Sequence, residues 1–200
     1  MLPGMKRGAV SLGALALLVA AFAWNTVGQD REFRRLVAAG DVALADGRTD
    51  EAIENFSGAL ALRPAAMLPY LKRGDSYRRR GDFPAALRDL RQATTIDPTA
   101  PRALELLGDV NAALGRYERA VDAYRRFVAI DDRSAVVLYK LALAEYRDAQ
   151  GAQALETVRR ALALDGNLAE AHYLLALCLR DQKDTAGAAR ELAAVVRLNP

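Results

Sequence analysis

An alanine recurs at a fixed interval along most of this chain, and that interval constrains the fold more than any other feature. Ala52, Ala86, Ala120, Ala154 and Ala188 follow one another at steps of 34 residues, without gap or insertion. Twelve residues upstream of each stands a second small residue: Gly40, Gly74, Gly108, Ala142 and Ala176. Ten residues downstream stands a large apolar one: Leu62, Ile96, Ile130, Leu164 and Leu198. Self-similarity at such a period marks a repeat architecture, in which each unit buries its apolar face by stacking on its neighbours. A small residue returning at one phase has a packing cause: two helices cross there too closely for a larger side chain. The spacing predicts that the upstream Gly or Ala faces the Ala marker across each hairpin.

Tyr70 to Pro98 shows the unit most plainly. Gly81 and Pro84 break its middle, and the large residues Tyr70, Tyr77, Phe83, Leu90 and Ile96 fall on two helical faces around it. Glycine suits the end of the first helix, where the backbone must leave with positive φ. Proline suits the first turn of the second, where its missing N–H costs nothing. The same layout recurs, with turns at Gly47, Gly81 and Gly115, but Ala149 and Lys183 occupy that phase in the last two units. No stretch reads as a strand. Composition agrees, with 52% hydrophobic but only 6% aromatic residues, as expected where small contact residues let helices approach.

This pattern resembles the tetratricopeptide repeat (TPR) family, whose unit is a helix–turn–helix of about 34 residues. The unit from Met67 matches through Tyr70, Gly74, Tyr77, Ala86, Leu90, Ala93 and Pro98, with Arg73 where the family has Leu. The unit from Pro101 matches through Leu104, Leu107, Gly108, Ala120 and Tyr124, and departs at Asn111, Phe127 and Asp132. The resemblance implies an all-α fold, a right-handed α-solenoid of about five helix–turn–helix units after an N-terminal apolar helix. The units are 33–66, 67–100, 101–134, 135–168 and 169–200, preceded by a short linker at 29–32.

Residues 1–28 do not belong to that pattern. Lys6 and Arg7 precede an uncharged run from Gly8 to Gly28. One reading is a secretory signal peptide with Ala21-Phe22-Ala23 as its cleavage site. Another is an uncleaved anchor, since about 20 apolar residues suffice to span a bilayer, with Trp24 at the interface. A third is a helix packed on the first repeat. The anchor is the favoured reading, because Trp directly after a cleavage site is an awkward context; export to the periplasm after cleavage near Ala23 is the alternative. Positive residues flank both ends of the run. The short N-terminal tail favours an extracytoplasmic placement of the repeats.

Catalytic signals are nearly absent. The single His172 and single Cys178 rule out a disulfide framework and argue against a protein-built zinc site. His172 falls at a packing position of the last unit, and Cys178 lies among leucines, where cysteine acts as a small hydrophobe. Asp131 and Asp132 stand in an inter-repeat turn, where Asp is favoured for turn geometry. No glycine-rich phosphate loop is present. With a net charge of +3, the run Arg78-Arg79-Arg80 is a weak nucleic-acid signal. The chain is therefore expected to have no enzymatic activity, no cofactor, no metal, no nucleic-acid partner and no small-molecule substrate.

What remains is a surface. In the TPR family the first helices of the units line a concave groove that accepts peptide or helical segments of a partner. Carried over residue by residue, the groove comprises Arg78, Arg79, Arg102, Glu105, Asp109, Tyr139, Leu143, Tyr146, Arg147, Tyr173, Leu177 and Arg180. Tyr and Arg dominate binding energy at interfaces, which directs attention to the C-terminal half; the competing reading is that some of these tyrosines pack between units. The Lys and Asn pattern with which chaperone-tail-binding repeats clamp a carboxylate is not present: the first unit has Val37 and Asp41, and Arg102 alone is no clamp. The last helix presents Leu192, Val195, Val196 and Leu198, a candidate edge for self-association. The expected function is a protein-binding scaffold that holds a partner peptide or helix in this groove, in an envelope-associated complex, with a structural homo-oligomer assembled through the C-terminal edge as the alternative.

Overall fold

The computed structural model describes residues 12–199, so Lys6, Arg7 and Pro200 lie outside the described residues. Among these there are ten α-helices and no strand. Contacts divide the chain into two compact units, Met1–Pro64 and Ala65–Pro200.

The first unit is a hairpin of α1 (Leu12–Ala45) and α2 (Thr49–Leu62). Ala43, Ala52 and Phe56 form its core, and Gly47 makes the turn with φ 75°. The sequence suggests a separate apolar helix followed by a linker at 29–32. Instead α1 runs unbroken for 34 residues. No proline lies in it, and ion pairs one turn apart, Asp30 with Arg34 and Glu32 with Arg35, bridge residues 29–32; such pairs support a helix. Among the described residues no helix is long and apolar enough to cross a membrane.

The second unit stacks four hairpins: α3 (Met67–Arg80) with α4 (Phe83–Ile96), α5 (Pro101–Ala113) with α6 (Tyr117–Val128), α7 (Ala135–Arg147) with α8 (Gly151–Leu164), and α9 (Ala169–Asp181) with α10 (Thr185–Leu198). The second helix of each hairpin packs on the first helix of the next, and α3 also meets α5 as α7 meets α9. This places the first helices side by side on one face, with the repeat cores between the layers.

Local chemistry sets the boundaries. Gly81 and Gly115 close α3 and α5 in the left-handed region, and Ala149 and Lys183 take the same conformation, at φ 59° and 67°, where the glycine is lost. Asp82, Ser134 and Asp184 cap α4, α7 and α10 through their side chains. Between repeats, Asp97, Asp131 and Asp165 each accept a hydrogen bond from the backbone N–H two residues on, at 2.9, 3.0 and 2.9 Å. That is one Asx turn repeated in phase, so Asp131 serves the turn.

The Ala markers are buried, with no exposure at Ala86, Ala120 and Ala154. The upstream glycines, however, do not press on them. A Cβ on Gly74 would stand 2.9 Å from Leu90 Cγ, one on Gly108 would overlap the ring of Tyr124, and one on Gly40 would overlap the ring of Phe56. The pressing residue is in each case four positions beyond the marker, one helical turn on, because a bulky side chain there reaches back toward its own N-terminus.

Three polar residues, Arg73, Asn111 and Glu145, take places that the pattern reserves for apolar ones; Asn111 Nδ2 donates to the Leu107 carbonyl at 2.7 Å. Arg73 pairs with the buried Asp89 through two hydrogen bonds of 2.6 and 2.9 Å. Glu145, also buried, accepts from Thr157 Oγ1 and from Arg125, both at 2.8 Å, and Arg125 donates to Gln150 as well. A buried charge requires such satisfaction.

Candidate partner-binding groove

Residues on the α3, α5, α7 and α9 face sort into those that bind one another and those left open. Asp75 is buried and holds Arg78 at 2.7 Å and Arg79 at 3.2 Å. Arg102 donates to Glu105 at 2.7 Å. Glu105 and Asp109 are tied across helices: Lys140 Nζ donates to Glu105 at 2.7 Å and approaches Asp109 at 2.9 Å, and Tyr124 Oη donates to Asp109 at 2.8 Å. Burial raises the Glu105 pKa, but hydrogen bonds from Lys140 and Arg102, with their charges, more than offset it and leave the carboxyl below its ordinary value. Burial, followed by the Asp109 charge and hydrogen bond, drives the Tyr124 phenol far up. The cluster thus braces α5 against α6 and α7. Lys140 and Tyr124 escape a search confined to the concave-stripe positions; a cation at one position of a repeat opposite carboxylates one repeat earlier is the signal that finds them.

The C-terminal part is more open and more aromatic. Tyr139, Leu143 and Tyr146 are half-buried against the core between α7 and α9, so these tyrosines both pack between repeats and border the surface. Burial, then the charge of Glu170, raises the Tyr139 phenol. Tyr146 Oη donates to Asp181 at 2.8 Å and receives Arg180 at 3.4 Å. The hydrogen bond from Tyr146, then that from Arg180, lowers the Asp181 carboxyl. Tyr173 is 51% exposed, and Leu177 is half-buried beside it in sequence phase. Arg147 is exposed and, among the described residues, forms no ion pair.

Between the second and third hairpins of this unit lies a hollow of about 290 Å³, lined by the apolar Ala112, Leu143 and Ala144, by Tyr117 and Tyr124, and by Lys140 and Arg147. Its origin is readable in phase. The residues equivalent to Ala112 in the neighbouring repeats are Arg78, Tyr146 and Arg180, and a methyl group where they have long side chains leaves the space unfilled.

Elsewhere His172 Nδ1 faces Glu191 at 2.6 Å and Nε2 faces the Gly166 carbonyl at 3.1 Å, joining α9 to α10 and the loop before α9. Cys178 is buried, and burial pushes its thiol up to about 11. Among the described residues no group of His, Cys, Asp and Glu is arranged to hold a metal. At the end of the chain Leu192 is 44% and Val196 69% exposed, while Val195 and Leu198 are half-buried.

A tetratricopeptide repeat profile matches residues 71–135 and 139–200. The small glutamine-rich tetratricopeptide repeat-containing protein 2 of Mycosarcoma maydis is 31% identical over 111 residues, which is 56% of this chain and 32% of that protein; the chain therefore spans about a third of that relative. In structure, MamA from Desulfovibrio magneticus RS-1 superposes with a TM-score of 0.80 at 21% identity, covering 84% of this chain and 94% of that one. YrrB, described as a TPR protein with an unusual peptide-binding site, superposes with a TM-score of 0.79 at 15% identity, covering 88% and 91%. Likeness at such identities shows the shared fold. With the repeat phase, the stacked hairpins and a profile spanning more than half the sequence in agreement, the chain belongs to the tetratricopeptide repeat family.

Proposed function

We propose that this chain is a non-catalytic scaffold that holds a peptide or helical segment of a partner protein against the face of α5, α7 and α9. The observation that carries the reading is the contrast along that face. Glu105 and Asp109 are occupied by Lys140 and Tyr124, whereas Tyr173 stands half in solvent and Leu143 borders an unfilled hollow. Apolar and aromatic surface beside satisfied polar groups is what a desolvating contact uses. Tyr146, Arg180 and Asp181 set the register of the bound segment, and the paired charges reject wrong partners.

The test is titration of a peptide selected on the intact chain from a random library. Tyr146→Ala and Tyr173→Ala each weaken it by ~2 kcal/mol, about thirtyfold. Unchanged affinity in both variants removes the groove assignment.

The scaffold is further proposed to work at the cell envelope, tethered through residues 1–28, with the repeats outside the cytoplasm. The uncharged run Gly8 to Gly28 and the exposed Trp24 support this. Fusion of residues 1–40 to a reporter active only outside the cytoplasm gives a signal on this reading, and silence contradicts it. A second reading, self-association through the last helix, is favoured by the exposure of Leu192 and Val196. Mass that rises with concentration in light scattering, and ceases to rise in Val196→Glu, is its expected result; a constant monomer mass excludes it.

A further inference from the structure

The hollow between the second and third hairpins of the second unit has a chemistry that narrows what the groove accepts. Its size comes first. At about 290 Å³ it is roughly twice a cavity of about 150 Å³ that takes up benzene, and it falls at the lower limit of small-molecule pockets, about 300 Å³. It has room for one large side chain and for part of a neighbouring one.

Its walls come second. Ala112, Leu143 and Ala144 offer no hydrogen bonds from their side chains, and Tyr117 and Tyr124 present rings, which favour an aromatic guest in an edge or offset arrangement. Tyr124 is buried and its hydroxyl is committed to Asp109, so this wall is already set.

Charge comes third. Two cations reach the hollow. Lys140 and Arg102 together balance Glu105 and Asp109. Arg147, exposed, forms no ion pair among the described residues, and the adjacent Asp148 accepts from Gln150. The local imbalance is therefore one positive charge beside an apolar hole. A basic segment would meet Arg147 and find Glu105 and Asp109 taken; an acidic one gains a bidentate partner.

The geometry points to an acidic peptide segment as the occupant: one large apolar side chain, aromatic for preference, inserted between Tyr117 and Leu143, with an Asp or Glu within two residues of it paired to Arg147. This rests on the groove reading above and adds to it the class of partner sequence.

The test uses the intact chain and random twelve-residue peptides displayed on phage. Enriched sequences carry Phe, Tyr, Trp or Leu within two positions of Asp or Glu. The best of them, synthesised with a fluorescent label, loses about tenfold or more in affinity against Ala112→Arg, the scale of a lost interface anchor. The fold accepts arginine at this phase in two neighbouring repeats, at Arg78 and Arg180, so the variant fills the hollow without breaking the hairpin; its unfolding midpoint verifies that. Arg147→Glu weakens the same peptide, and a peptide with Lys in place of its acidic residue restores binding to that variant. Peptides that lose affinity to Tyr173→Ala yet tolerate both Ala112→Arg and Arg147→Glu overturn the hollow and leave the groove standing. No enriched peptide, or peptides indifferent to all three variants, overturns both.

Discussion

Gly108 lies under the ring of Tyr124, so close that a methyl group on Gly108 would overlap the ring carbons. The ring in turn carries its hydroxyl to Asp109 on the neighbouring position of the same helix, so a side chain of one helix both spans the crossing and anchors on the far side. Gly108→Ala forces Tyr124 off this site. It lowers stability by about 1–3 kcal/mol, the usual cost of overpacking a core, read as a shift in the urea midpoint. Gly151→Ala is the contrast. Nothing lies within 4 Å of a Cβ there, and the variant is neutral or more stable by up to about 1 kcal/mol.

Arg73 stands where the repeat pattern has leucine, and Asp89 is its reason. Arg73→Leu restores the pattern but leaves a buried carboxylate, 6% exposed, without its cation. The expected loss is about 3–5 kcal/mol. Arg73→Leu with Asp89→Ala regains most of it, because no charge is then stranded. Thermal denaturation of the two singles and the double decides; additive losses refute the pairing as the reason for the arginine.

Ala149 and Lys183 occupy turns whose equivalents are Gly47, Gly81 and Gly115. The left-handed conformation costs a non-glycine residue about 1–2 kcal/mol, partly offset by the greater freedom of glycine in the unfolded chain. Ala149→Gly and Lys183→Gly each therefore raise stability, by about 0.5–1 kcal/mol net. A fall in melting temperature for both contradicts the assignment of strain to these turns.

The repeat phase carried most of the fold because packing constraints recur: each close crossing demands a small residue at one position, and the demand is visible four or five times over. The partner at the crossing was not visible in the same way. Alignment pairs Gly108 with Ala120, but side-chain direction pairs it with Tyr124. Residues 29–32 read as a linker because their composition changes there, and helix continuity depends on local ion pairs that composition does not reveal. On the groove face, position alone selects Glu105 and Asp109 as readily as Tyr173. Only their distances to Lys140 and Tyr124 separate a brace from an open surface. The hollow beside Leu143 was hidden because a missing side chain at Ala112 makes it.

The brace also has a pH signature. The Glu105 carboxyl titrates below its ordinary value in the folded chain, with burial opposing and the Lys140 and Arg102 hydrogen bonds prevailing. A lowered carboxylate contributes stability that is full above the unfolded value of about 4.3 and is lost as pH falls through the folded value. The stability gap between the wild type and Glu105→Gln is therefore constant from neutral pH down to about 5 and narrows below about 4. Urea midpoints across that range measure it; a gap that widens on acidification reverses the sign and refutes the brace.

The most direct measurement of the account is an amide chemical-shift map of the chain titrated with a selected peptide. Binding in the proposed groove moves the signals of Ala112, Leu143, Arg147, Tyr173 and Leu177, on α5, α7 and α9, and leaves Arg91, on α4, and Arg126, near the far end of α6, where they were. Shifts confined to α4 and α6, with the α7 and α9 signals unmoved, would contradict it.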